Sequence, residues 1–152
     1  MDLILWRHAD AEEGINIPDA ERKLTAKGIK QAARMAKWLR PRLPEDAAVL
    51  ASPAKRAQQT ARALTPDFKT VTEIGTSASA EGVLRACGWP KAGHTLVVVG
   101  HQPTLGEIAA VLLTGTQGQW SLKKGAVIWI AHGAGGGFGR PHLRAAISPD
   151  LL

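Results

Sequence analysis

Cysteine is all but missing from this 152-residue chain. Cys87 stands alone, which excludes an internal disulfide and, with no second thiol, a thiolate metal cluster. The short motifs of metal and nucleotide chemistry are missing as well. There is no H-E-x-x-H, no C-x-x-C and no Asp-rich loop, so no metal and no cofactor is expected. A P-loop kinase or ATPase is excluded by the lack of G-x-x-x-x-G-K-[ST]. Long apolar runs are lacking too: the N-terminal run ends at Trp6, where Arg7 and His8 interrupt it. A secretory signal would place charge before a longer apolar stretch, and a membrane helix needs about 20 apolar residues. The expectation is a cytoplasmic protein with no membrane partner. No internal repeat is present, and the one low-complexity stretch, Gly133 to Gly139, reads as a flexible loop.

Acidic residues are scarce relative to basic ones, 13 against 19, for a net charge of +6. The imbalance is local. Residues 22–69 hold twelve Lys/Arg and three acids, whereas the rest of the chain holds seven and ten. Such a balance points to an anionic partner. With 45% hydrophobic and 21% charged residues the composition is that of a soluble globular protein. The length suits a single domain over residues 1–152 with a proper core.

Apolar runs and helical patterns alternate. Leu3 to Trp6, Val49 to Ala51 and Thr95 to Val99 are short runs that read as buried strands, the last of them central in a sheet covered by helices. Thr25 is a candidate N-cap for a helix to about Arg40, with Ile29, Ala32, Ala33, Ala36, Leu39 and Leu43 on its apolar face and Pro41 and Pro44 beyond its end. Ser52-Pro53 reads as the cap and first position of a helix to about Leu64. Thr70 to Ile74 is a candidate third strand, Ser79 to Ala86 a short helix, and Thr104 to Leu113 a helix with Thr104 and Glu107 at capping-box spacing. Ala126 to Ala131 and His142 to Ile147 read as a terminal hairpin, the second strand drier at Leu143, Ala145 and Ile147. This order predicts an α/β sandwich with a mixed sheet.

Ligands of open α/β sheets bind beyond the carboxyl ends of the strands, so the residues that follow each strand carry the functional reading. Arg7-His8 follows the first, Ser52 to Arg56 the second and Gly100-His101 the central one. Two histidines and two arginines would then converge beside helix N-termini that favour anions. The set suits a phosphoryl group. Guanidinium forks clamp phosphate oxygens in pairs, a neutral imidazole can attack phosphorus, and the positive charge offsets that of the transferring group. His94, His132 and His142 fall away from these ends and read as structural or exposed.

At these residues the chain resembles a family. Leu3-Ile4-Leu5-Trp6-Arg7-His8-Ala9 looks like the strand and Arg-His-Gly signature of the histidine phosphatase (phosphoglycerate mutase-like) superfamily. Ser52-Pro53-Ala54-Lys55-Arg56-Ala57-Gln58-Gln59-Thr60 matches its S-P-x-x-R-x-x-Q-T element, and Val97-Val98-Val99-Gly100-His101 matches its strand ending in Gly-His. Arg22-Lys23-Leu24-Thr25-Ala26-Lys27-Gly28 and the Arg-His-Ala start are similar to the small SixA-type phosphohistidine phosphatases. The resemblance implies a three-layer sandwich whose mixed, mostly parallel sheet is flanked by helices, without a lid domain. It implies a metal-independent hydrolase in which His8 is the nucleophile and Arg7, Arg56 and His101 bind the phosphoryl group, with Arg22 reaching the substrate.

Two departures bear on the chemistry. Ala9 stands where the superfamily usually has glycine, and the general acid of larger members has no clear counterpart, Glu73 being the nearest match and Glu81 a weaker one. An alkoxide leaving group needs a proton that such an acid supplies, worth roughly 10²–10⁴-fold. A phosphorylated imidazole depends on it less, so the expected substrate is phosphohistidine on a signalling protein. The alternatives are a phosphatase of small phosphate esters on the same site, or a non-enzymatic binder of nucleic acid or acidic protein through residues 22–69. Lys27, Lys30, Arg34 and Lys37 make a stripe at helical spacing, which reads first as a solvated helix face. The expected state is a monomer or weak dimer that binds no nucleic acid.

Overall fold

A computed structural model describes residues 1–133 and 139–152. The predicted glycine loop therefore lies largely outside the described residues. Six strands form one sheet in the order β3-β2-β4-β1-β5-β6. They are β1 (Asp2–Arg7), β2 (Ala48–Ala51), β3 (Lys69–Thr70), β4 (Leu96–Gly100), β5 (Val127–Ala131) and β6 (His142–Ile147). β4 runs parallel to β1 and β2, and β2 parallel to β3, whereas β5 is antiparallel to both β1 and β6. The mixed, mostly parallel sheet expected from the sequence is the one observed.

Helices cover both faces: α1 (Ala26–Leu39) and α2 (Lys55–Leu64) on one, α3 (Ala80–Ala86) and α4 (Thr104–Thr114) on the other. Alternation along the strands divides the core between them. Ile4, Trp6, Val97, Val99 and Trp129 join the first layer, and Leu3, Leu5, Val98, Ile128 and Ile130 the second. All five residues of β4 are buried, as a central strand between two helical layers requires.

Several elements differ in detail from the sequence expectation. Thr25 does cap α1, accepting from the Gly28 amide. The buried line, however, is Gly28, Ala32, Met35, Ala36 and Leu39, so Ala33 is exposed and Ile29 is 56% exposed. The cause is Gly28. A Cβ there would lie 2.0 Å from the Asp10 carbonyl oxygen, so only glycine lets the helix lean onto that backbone, and the lean sets its rotation. Helix α2 starts at Lys55 rather than at Ser52-Pro53, and no side chain caps it. β3 stops at Thr70, and Thr72–Ile74 form a 3₁₀ turn instead of continuing the strand.

The capping box at Thr104 does not form. Thr104 Oγ1 donates to the Ala78 carbonyl at 2.9 Å, and Gln102 Oε1 accepts from the Gly106 amide at 2.8 Å in its place. In β6 a bulge pairs Trp129 with Ala145 but Ile130 with Leu143. The extra residue moves Leu143 to the other face, where it is 44% exposed, while Ala145 and Ile147 pack on the core.

Candidate active site

The register of β1 on β4 pairs Arg7 with Gly100, so the two strands end side by side and release His8 and His101 at the same point. The His8 amide donates to the Gly100 carbonyl at 3.0 Å. The two imidazole rings lie 5.2 Å apart, tilted by 56°. On the far side of β4, the Ser52 amide that follows β2 donates to the Val99 carbonyl at 3.0 Å. Backbone pairing thus places three strand ends, and the residues beyond them, at one rim of the sheet.

His8 and His101 are buried. His8 Nδ1 lies 2.8 Å from the Ala9 carbonyl oxygen. A carbonyl only accepts, so Nδ1 carries the proton and Nε2 keeps its lone pair. Burial pushes the His8 imidazolium down to a pKa of about 4; the Ala9 carbonyl opposes this, and the charges of Arg56, Arg7 and Arg22 add to it. His101 is pushed to about 3, again first by burial and then by His8 and Arg56, with Asp19 opposing. Both rings are therefore neutral at pH 7. His101 Nε2 is 2.7 Å from Ser52 Oγ, and Ser52 Oγ accepts from the Ala54 amide at 3.1 Å. Ser52, read from sequence as a helix cap, instead bends the turn after β2 and steadies His101.

Arg7 and Arg56 both bear on His8 through their charges. Arg7 Nη1 donates to the Leu122 carbonyl at 2.7 Å. Arg56, 4% exposed, donates through Nη1 to the Asp19 carbonyl at 2.9 Å and through Nη2 to Asp19 Oδ2 at 3.1 Å. Among the described residues, the only buried side-chain polar atoms without a partner are Arg7 Nε and Arg56 Nε. An unpartnered buried donor costs roughly 1–3 kcal/mol. Two of them, on the arginines whose charges bear on His8, fit a site built for a tetrahedral oxyanion that supplies the missing acceptors.

Arg22 sits one layer out. Its Nε donates to the Glu12 carbonyl at 2.7 Å and its Nη1 to Asp19 Oδ1 at 3.1 Å. Asp19 thus offers one carboxylate oxygen to each of two arginines, whose pull, foremost the Arg22 hydrogen bond, holds its carboxyl below the usual range. Asp19 is the residue that sequence reasoning missed. It lies in a polar loop with other acids, and no spacing rule separated it from Glu12, Glu13 or Glu21. Glu73 is exposed in the 3₁₀ turn whose Ile74 lies against Gly100. Its carboxylate accepts from Thr72 Oγ1 at 3.1 Å and makes no hydrogen bond to the histidines or arginines of the site. Glu81 pairs with Arg85 on α3. His94, His132 and His142 lie at the opposite end of the sheet: His94 contacts the Ala92 carbonyl before β4, His132 follows β5 and stacks edge-on with Trp89, and His142 opens β6, where it is exposed.

The remaining motif residues hold the loop between His8 and α1. Thr60 Oγ1 accepts from the Ala9 amide at 3.1 Å and donates to the Arg56 carbonyl at 2.7 Å. Gln59 Oε1 accepts from the Leu24 amide at 2.7 Å, and Gln31 Oε1 from the Asp10 amide at 2.9 Å. Asp10, Thr25 and Gly28 then close the base of the loop.

Comparison with known proteins bears on the family and the fold. The family model described as histidine phosphatase superfamily (branch 1) matches residues 3–78, and the chain belongs to that superfamily. An uncharacterised protein of Mycobacterium tuberculosis is 35% identical over 118 residues, covering 70% of this chain and 68% of its own. The fold is that of the protein histidine phosphatase SixA in complex with tungstate, with a TM-score of 0.84 at 24% identity over 100% of this chain and 99% of the other. A SixA-type structure from Nakamurella multipartitia has a TM-score of 0.80 at 24% identity, covering 97% of this chain and 95% of the other. No helix among the described residues is long and apolar enough to cross a membrane.

Proposed function

We propose that the protein is a phosphohistidine phosphatase of the SixA type that works through a phosphorylated His8. The observation that carries this reading is the state of His8: a buried neutral ring whose Nδ1 proton is committed to the Ala9 carbonyl, with Nε2 left as a nucleophile. In the first step the Nε2 lone pair attacks phosphorus and the bond to the leaving group breaks. In the second, water attacks the phosphorus of phospho-His8, the P–N bond breaks, and inorganic phosphate leaves as the imidazole returns to neutrality. Arg7, Arg56 and His101 hold the phosphoryl oxygens, and the two guanidiniums offset the charge of the transferring group without a metal ion.

The leaving group is argued from proton supply. An alkoxide departs with a full negative charge unless an acid protonates it, whereas an N-phosphorylated imidazole protonated at its other nitrogen departs neutral. The site offers little acid. Asp19 is held as a carboxylate between Arg22 and Arg56, His101 is neutral, and the Glu73 carboxylate is turned to Thr72. The likeness to SixA structures, described as protein histidine and phosphohistidine phosphatases, supports the same choice.

The test is turnover of free phosphohistidine beside phosphoserine and sugar phosphates. A kcat/KM for phosphohistidine at least about 10²-fold above that of any ester is expected, the scale of a missing acid. Esters turned over equally well would assign the site to small phosphate esters.

A further inference from the structure

From its exposed cationic face we infer that α1 is the docking surface for an acidic patch on the protein that carries the phosphohistidine. The inference rests on the phosphatase reading above and extends it to how the carrier is recognised. Lys27, Lys30, Arg34 and Lys37 are all exposed, and the 14 residues of α1 include no acid. Their spacing of three, four and three residues places them on one line about 15 Å long. None of the four forms an ion pair or a side-chain hydrogen bond among the described residues. Like charges three and four residues apart weaken a helix; Asp10 near Lys27, and Asp150 in the groove beside Lys27, Lys30 and Arg34, offset part of this charge, and an acidic partner would neutralise the rest.

The face begins at the active site. Thr25, the cap of α1, donates to Asp10 Oδ2 at 2.7 Å, Gly28 packs on the Asp10 carbonyl, and Asp10 is two residues past His8. A protein bound along α1 is thereby brought to the edge of the phosphoryl site. The loop from Ala9 to Leu24 provides the other half of the rim. It exposes Ile15 (82%) and Ile17 (42%) beside the acids Glu12, Glu13 and Glu21.

That neighbourhood selects between polyanions. A nucleic acid laid along α1 toward His8 would run its phosphates onto Glu12, Glu13 and Glu21. A protein surface with a carboxylate patch next to an apolar contact matches both halves. Salt screens such contacts over about 10 Å at 0.1 M, which makes the docking ionic-strength dependent.

The experiment uses the full chain and two synthetic peptides. Each carries one phosphohistidine and a 14-residue helical arm, rich in glutamate in one and in glutamine in the other, with free phosphohistidine as the reference substrate. For the unaltered protein at low salt, kcat/KM for the glutamate peptide should exceed that for the glutamine peptide by about tenfold, and the advantage should vanish at high salt. The variant Lys27→Glu/Lys30→Glu/Arg34→Glu/Lys37→Glu should lose the advantage while turning over free phosphohistidine as before. The matching glutamine variant should show an intermediate loss and guards against misfolding of the reversed one. An advantage that persists in the reversed variant or at high salt, or that the glutamine variant leaves undiminished, overturns the docking surface and leaves the phosphatase reading standing. No turnover of free phosphohistidine by the unaltered protein overturns both. A DNA duplex that competes with the glutamate peptide, and no longer does so against the reversed variant, would assign the face to nucleic acid instead.

Discussion

Arg56 and Arg22 bind the two oxygens of one carboxylate, that of Asp19, yet their side chains are 5% and 25% exposed. Arg56 stands in the first turn of α2, and its neighbours on the helix are tied to the backbone beyond His8 through Thr60. Arg22 stands in a loop, held by one carbonyl and one carboxylate oxygen. The floor of the site is positioned by strand ends and helix packing that cannot shift without disturbing the sheet. The rim is positioned by side-chain bonds that water can replace. Rigid elements fix catalytic geometry within narrow limits, and loops tune access to it.

Substitutions can break that comparison. The largest effect is expected at the floor, where His8→Ala should lower kcat at least about 10³-fold in phosphohistidine hydrolysis. Arg56→Lys keeps the charge but loses the fork, and should cost about 10²–10³-fold in kcat/KM. Arg22→Lys is the matched change at the rim and should cost less than about tenfold, measured the same way. Equal losses for the two lysine variants would erase the distinction between floor and rim.

Smaller effects sharpen it. In the unfolded chain His8 and His101 take up protons below about pH 6.5, whereas the folded protein refuses them until about 4 and about 3. The unfolded state therefore binds more protons in that window, and stability falls as pH drops from 6.5 toward 4, by about 3 kcal/mol for a group shifted as far as His8. Asp10 and Asp19, with lowered carboxyl values, add a loss of the same sign only below the ordinary 3.8. Denaturant midpoints of the protein and of His8→Asn across this range should show the slope reduced in the variant. The smallest effect is expected for Glu73→Gln, which should leave turnover of phosphohistidine within about twofold; a large loss would make Glu73 the proton donor.

What the sequence disclosed follows the same division. Arg7, His8, Arg56 and His101 of the candidate site were legible because each ends or follows a strand or opens a helix, and those elements are written in local apolar runs such as Leu96 to Val99. Thr25 was legible as a cap because capping is a three-residue event. Asp19 was not, since its role exists only once Arg22 and Arg56, 34 positions apart in sequence, meet over it. Ser52 was misread for a related reason: its bond to His101 spans 49 residues and outweighs the local signal of Ser-Pro. The rotation of α1 escaped the apolar pattern because a close approach at Gly28, not the count of apolar residues, decides which line faces the sheet.

The central claim is a covalent phosphoryl group on His8 Nε2, and trapping it is the most direct measurement. The protein is mixed with phosphohistidine, denatured in alkali within milliseconds, where a P–N bond survives, and its peptides are weighed. The phosphoryl group should be found on the peptide that contains His8 and be lost in His8→Asn together with turnover. A phosphoryl group on another residue, or full turnover by His8→Asn, would contradict the account.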